Sequence, residues 1–141
     1  MRIRELGPGD ESLVVEAAGL FDSPPSGEWT HRFLAEDTHR LLMAFDDDVP
    51  VGFVTGVETT HPDKGTEMFL YELAVDPAHR RRGIGRALVH ELASLARLHG
   101  CRGMWVATEP DNEAAIATYR SAGASEPEAV VVLEWTLADA G

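Results

Sequence analysis

The chain has almost no cysteine: Cys101 is the single one among 141 residues. One thiol excludes an internal disulfide framework, and without a Cys/His cluster at ligand spacing there is no basis for a structural zinc site. The histidines His31, His39, His61, His79, His90 and His99 are scattered, and none falls into H-E-x-x-H or another metal-binding spacing. No metal is expected. Asp46-Asp47-Asp48 lacks the rest of an EF-hand loop and reads as a solvated turn.

Basic residues are scarce too, with 12 Lys and Arg against 24 Asp and Glu and a formal net charge of −12. Such a balance repels nucleic acid and anionic membranes and favours cationic partners. No apolar run approaches the ~20 residues that cross a bilayer. The start, Met1-Arg2-Ile3-Arg4-Glu5-Leu6, alternates polar and apolar residues where a signal peptide would be continuously apolar, so it reads as a first strand. A cytoplasmic location is the expectation. Repeats, low-complexity tracts and linkers are absent, and a length of 141 residues suits one domain over 1–141.

Against this acidic background, four of the 12 basic residues lie within Arg80-Arg81-Arg82-Gly83-Ile84-Gly85-Arg86. A loop that opens into a helix presents unpaired N–H groups and the positive end of the helix dipole. Glycines let that backbone come close to an anion, and arginines add charge-assisted bonds, so the stretch reads as a phosphate cradle. It is not a P-loop, because the Lys and Ser/Thr of G-x-x-x-x-G-K-[ST] are missing. A dinucleotide fingerprint would need glycine where Leu88 stands.

The remaining pattern predicts a mixed α/β fold. Helical spacing covers Leu13 to Phe21, with Asp10 placed to cap it, and Trp29 to Glu36, with Trp29, Phe33 and Leu34 on the buried side. Arg40 to Phe45 and Val51 to Glu58 form a hairpin around Asp46 to Pro50. Met68 to Val75 is a central strand interrupted by Glu72. Ile84, Leu88, Leu92, Leu95 and Leu98 make a helix stripe that Gly100 ends. Met104 to Ala107 is a strand and Asn112 to Ala122 a helix. Val130 to Leu137 is a last strand, apolar enough to pair across a homodimer and equally suited to the interior.

Strand Leu70 to Val75, the R-x-x-G-x-G loop at Arg80 to Gly85, then Asn112 and Tyr119 occur in an order that resembles the GCN5-related N-acetyltransferase (GNAT) superfamily. The resemblance implies a single-domain GNAT-like fold, a mixed central sheet of about six to seven strands flanked by about four helices, with acetyl-CoA as co-substrate. It implies that Leu73, Ala74 and Val75 bind the pantetheine arm, that Arg80, Arg81, Arg82, Gly83, Ile84, Gly85 and Arg86 bind the pyrophosphate, and that Asn112 and Tyr119 contact the cofactor near its sulfur. Phe45-Asp46-Asp47, Val51-Gly52, Leu70 to Val75 and His79-Arg80-Arg81 are similar to the aminoglycoside 3-N-acetyltransferases of this superfamily, over about positions 40 to 123. Ribosomal-protein amine acetyltransferases share the Asn-to-Tyr helix, but typically have glutamate where this chain has Ala107.

The chemistry needs a base, because a protonated amine cannot attack a thioester. Glu72, alone in an apolar strand, is the first candidate; the alternative is a structural carboxylate paired with a cation. Glu109 and Asp111, which follow the next strand, either hold cationic substrate groups or belong to a solvated loop. An N–H of the splayed strand, that of Val75 or a neighbour, suits the developing oxyanion. Tyr119 is placed to protonate the leaving sulfur, or else packs with Ile116 in the core. Cys101 has no adjacent base and reads as packing. The expectation is an acetyl-CoA-dependent enzyme acting on a small polycationic amine, an aminoglycoside above all. The alternatives are a protein or small-metabolite amine acetyltransferase, and a non-catalytic acyl-CoA sensor.

Overall fold

In the computed structural model, which describes residues 1–138, one five-stranded sheet runs in sequence order. The strands are β1 Arg2–Glu5, β2 His39–Asp46, β3 Val49–His61, β4 Gly65–Val75 and β5 Gly103–Trp105. The first four pair antiparallel, and β5 joins β4 in parallel after the crossover through α3 (Ile84–Leu98). The other helices are α1 Glu11–Glu16, α2 Gly27–Ala35 and α4 Glu113–Ser121, with short 3-10 turns at Ala18–Leu20 and Pro77–His79.

Side chains of the central strands alternate between two cores. Leu42, Ala44, Val54, Met68 and Leu70 pack under Ile84, Leu88, Val89 and Leu92 of α3. On the other face Leu41, Met43, Phe45 and Phe53 meet Val14 of α1 and Leu34 of α2. Phe21 stacks on Phe53 with ring centroids 4.1 Å apart, which ties the segment between α1 and α2 to the sheet.

Caps explain the helix starts. The Ser26 hydroxyl accepts from the Trp29 N–H at 3.0 Å and opens α2. Asp10 occupies the position before α1 but does not cap it by side chain; its carboxylate accepts instead from the Gly7 N–H at 2.9 Å and from Arg4 at 2.7 Å.

Three expectations are corrected. The sheet has five strands rather than six or seven, because Val130 to Leu137 pairs with no strand, and apolar alternation cannot make a ladder without a partner. Trp29 is 71% exposed, because α2 is rotated to bury Thr30 and Leu34, one turn apart. Leu98, the last residue of α3, is exposed beside Arg97 and His99.

Candidate active site

The site begins with a bulge. In β4 strict alternation would put Met68, Leu70 and Glu72 on one face, driving the carboxylate into the core beneath α3. The register against β3 instead jumps from Gly56↔Leu70 to Thr55↔Glu72, leaving Tyr71 as the extra residue. Glu72 thereby moves to the face of Phe53 and Ala74, while Leu73 and Val75 return to the α3 side. Thr55, buried, fixes the bulge by accepting the Glu72 N–H on Oγ1 at 3.1 Å.

Beyond the bulge, β4 loses its neighbour on one side. Pairing with β5 stops at Phe69↔Trp105, whereas pairing with β3 continues to Gly52↔Val75. The edge of β4 from Leu70 onward is therefore open. The N–H groups of Glu72 and Asp76 point to β3, where they meet Thr55 and the Val51 carbonyl. By strand alternation, the main-chain groups of Leu73 and Val75 face the open wedge, and those of Ala74 face β3.

The Arg/Gly loop lies between this strand and α3. Arg81 and Gly83 both adopt left-handed backbone, with φ of 65° and 76°. Among the described residues, no N–H from Arg80 to Arg86 has a protein acceptor, the first bond in this region being Ala87 N–H to the Gly83 carbonyl at 3.0 Å. Arg80, Arg81, Arg82 and Arg86 are exposed, and among the described residues none of them pairs with a carboxylate. A row of free donors backed by four free guanidinium groups fits a polyphosphate.

The two glycines serve different ends. A Cβ on Gly83 would meet nothing within 4 Å, so its requirement is the left-handed φ. A Cβ on Gly85 would sit 3.2 Å from Thr118 Cγ2 and 3.6 Å from Val75 Cγ2, so that glycine is needed to bring α4 against the start of α3. His79 holds the loop from behind, with Nδ1 2.8 Å from Asp76 and Nε2 3.3 Å from Asp46 at the end of β2.

Asn112 caps α4, its Oδ1 accepting the Ala115 N–H at 3.1 Å. Two turns along, Tyr119 packs against the α3 core; its hydroxyl has no hydrogen-bond partner among the described residues, and burial pushes its pKa up from 10.0. Burial, then the nearby Asp22 carboxylate, raises Glu72 above the ordinary carboxylate value. Glu109 and Asp111 are exposed in the turn before α4, with no ion pair among the described residues. Cys101 packs against the core, and burial followed by the charge of Glu58 raises its thiol pKa.

Two features were not read from sequence as site elements. Asp22 comes beside Glu72 only through the Phe21–Phe53 stack. On the Glu72 face, Phe69 carries Tyr71 at 5.7 Å and Trp105 at 4.3 Å between ring centroids, and both outer rings are more than half exposed. The bulge and the β4–β5 register create this aromatic row, and neither has a local sequence signal.

The model of the acetyltransferase (GNAT) family matches residues 11–124. The mycothiol acetyltransferase of Rhodococcus jostii (strain RHA1) is 35% identical over 126 residues, covering 80% of this chain and 41% of that protein. The mycothiol acetyltransferase of Mycobacterium sp. (strain JLS) is 35% identical over 133 residues, covering 83% and 43%. The chain thus spans about two fifths of these curated relatives.

Among solved structures, an aminoglycoside acetyltransferase from an uncultured soil metagenomic sample, in complex with sisomicin, superposes with a TM-score of 0.89 at 23% identity, covering 97% of this chain and 96% of that one. The aminoglycoside N-acetyltransferase AAC(6')-Iy in complex with CoA superposes at 0.81 with 22% identity, covering 96% and 99%. At these identities the shared property is the fold.

Proposed function

Because the chain belongs to the acetyltransferase (GNAT) family, we propose that it is an acetyl-CoA-dependent N-acetyltransferase acting by direct transfer to a primary amine of a small polycationic acceptor, an aminoglycoside. The observation that carries this reading is the open edge of β4 leading to the unpaired donors and free arginines at the start of α3. A long thiol arm ending in phosphates matches that sequence of surfaces.

Bound acetyl-CoA supplies an acetyl thioester, an acyl donor reactive towards amines. Leu73 and Val75 offer main-chain donors and acceptors to the pantetheine arm, with Ala74 holding the strand to β3 between them. The N–H groups of residues 80–86 and the side chains of Arg80, Arg81, Arg82 and Arg86 hold the pyrophosphate. Gly83 supplies the turn, Ile84 anchors the helix start in the core, and Gly85 brings in α4. Asn112, by capping α4, sets the position of Tyr119.

Glu72 takes the proton from the acceptor's ammonium group, a task suited to a carboxyl whose pKa is raised towards neutrality. A free N–H of Leu73 or Val75 stabilises the negative charge that develops on the acetyl oxygen. Tyr119 keeps its proton at neutral pH and would give it to the sulfur as the C–S bond breaks, its phenolate taking back the second proton that the nitrogen loses in becoming an amide. Glu109 and Asp111 hold further cationic groups of the acceptor, and Tyr71 and Trp105 offer flat apolar surfaces to sugar rings. Transfer to the 3-amino group, in a cytoplasmic setting, belongs to the same proposal.

A second reading, favoured by the 35% identity to mycothiol acetyltransferases, is a small-metabolite amine acceptor. Acetyl-CoA turnover on a panel of aminoglycosides, mycothiol precursors, polyamines and peptide N-termini tests both. Turnover on aminoglycosides, with NMR placing the acetyl group on the 3-amine, is the expected result. Turnover on none of the amines overturns the enzymatic reading, and turnover confined to another class overturns the substrate.

A further inference from the structure

One hairpin pins the loop of free donors at both ends. From Arg80 to Gly83 no N–H finds a protein acceptor among the described residues, and the chain turns through left-handed Arg81 and Gly83, so nothing within the loop fixes its path. Its supports lie on either side. Before it stands His79, among the described residues the only side chain from Pro77 to Arg86 with a polar partner. After it stands Ile84, buried against Gly52 of β3, where a Cβ would lie 3.3 Å from Ile84 Cγ2 and 3.0 Å from the Ala74 carbonyl oxygen.

Both supports rest on the β2–β3 hairpin, which a second bulge shapes. Pairing passes from Ala44↔Gly52 to Phe45↔Pro50, leaving Val51 as the extra residue. The Val51 carbonyl accepts the Asp76 N–H at 2.8 Å and so holds the end of β4. Phe45 faces the α1–α2 core, and Asp46 therefore stands on the opposite face, that of α3. Because β3 lies between β2 and β4, Asp46 reaches across the start of β3 to His79 Nε2 at 3.3 Å, while Nδ1 lies 2.8 Å from Asp76. The imidazole spans two carboxylates, one at the end of β2 and one just after β4.

We propose that Asp46 and His79 are positioning residues for the cofactor: through their contact the β2–β3 hairpin sets the path of residues 80–83 before CoA docks. The proposal rests on reading residues 80–86 as the phosphate site and adds what keeps that site in shape. Arg80, Arg81, Arg82 and Arg86 have no carboxylate within ion-pair distance among the described residues, so their like charges spread the loop. An anchor immediately before Arg80 opposes that spreading without setting a carboxylate among the guanidinium groups, where it would compete with phosphate. A loop already in its binding shape loses less freedom on docking, and affinity rises accordingly.

Asp46 permits a test in which charge and positioning have opposite signs. On charge alone, deleting a carboxylate near a phosphate site tightens CoA binding; loss of an anchor weakens it. CoA affinity is measured by titration calorimetry for the wild type, Asp46→Ala, Asp46→Glu, His79→Ala and the Asp46→Ala/His79→Ala double variant. Each single alanine variant is expected to bind CoA about tenfold more weakly than the wild type. The double variant should bind no more weakly than the worse single one, because the two side chains act through one contact. Asp46→Glu, which keeps the carboxylate, should bind nearly as the wild type does. The Asp46 carboxylate is 51% exposed and touches no other polar group among the described residues, so its variants decide the matter even where His79→Ala does not fold. Unchanged or tighter binding in Asp46→Ala, losses that add in the double variant, or no recovery in Asp46→Glu overturns this proposal alone. A wild-type protein that does not bind CoA overturns it together with the cofactor reading.

Discussion

The Glu72 N–H donates to Oγ1 of buried Thr55 at 3.1 Å, and this bond sits at the one place where β4 changes face. Thr55 thereby acts on the carboxylate through the main chain. Thr55→Val keeps the shape but removes the acceptor, leaving a half-buried N–H unpaired at a cost of at most about 1–3 kcal/mol. Urea unfolding should show that loss, and kcat/KM should fall because the Glu72 carboxylate is no longer held in place.

Glu72→Gln separates catalysis from stability. Removal of this proposed general base is expected to lower kcat/KM by roughly 10²- to 10⁴-fold. Because the folded-state pKa of Glu72 is raised, the wild-type protein is favoured while the group stays protonated and loses that advantage as pH rises through the folded value. At pH 7 the glutamine variant should therefore melt no lower than the wild type. In a pH–rate profile the wild type should show an ascending limb above 4.5, the ordinary glutamate value, that the variant lacks.

Tyr119→Phe should lower kcat by about 10²-fold or more if the phenol protonates the leaving sulfur, with CoA affinity by calorimetry unchanged. Since burial raises this phenol above 10.0, its deprotonation should cause little alkaline loss of activity below about pH 9. A variant with wild-type kcat would return Tyr119 to a packing role.

The loop glycines should respond differently. Gly83→Asp places a negative side chain beside the proposed phosphate cradle at a residue with φ of 76°, so CoA affinity should drop sharply. Gly85→Ala presses on Thr118 at 3.2 Å, and overpacking of that kind costs roughly 1–3 kcal/mol. Its effect should appear in unfolding experiments and, through displaced α4, in kcat.

Glu58 sets an acid limit. Burial alone would raise its pKa, but hydrogen bonds from Arg40 and His99, the latter at 2.7 Å, outweigh burial and lower it below 4.5. A lowered carboxylate contributes stability above its unfolded pKa and loses it as pH falls through the folded value. Stability by urea titration should decline below about pH 4.5, and less steeply in Glu58→Gln.

Much of the fold is legible along the chain because it depends on local periods and punctuation. Gly100 and Gly123 mark the ends of α3 and α4, and the turn residues at Asp46 to Asp48 mark the hairpin. The proposed phosphate cradle is equally local, since four arginines and the glycine that turns the loop lie within seven consecutive residues. Trp29 and Val130 to Leu137 depart from their sequence patterns for one reason. Hydrophobicity says that a side chain seeks cover but not which surface supplies it, and here α2 turns one tryptophan outward while the last segment finds no strand on its own sheet.

By itself, then, the sequence determined most of the helices and strands and where free N–H groups and arginines gather, because caps, turns and periodicity act over a few residues. Tertiary structure alone decided which way Glu72 faces, that Asp22 stands near it, and that Tyr71 and Trp105 line one surface. Those outcomes rest on a one-residue register shift between β3 and β4 and on the early end of β5 pairing. Strand register is a contest between whole buried faces, so it is settled only when the strands meet.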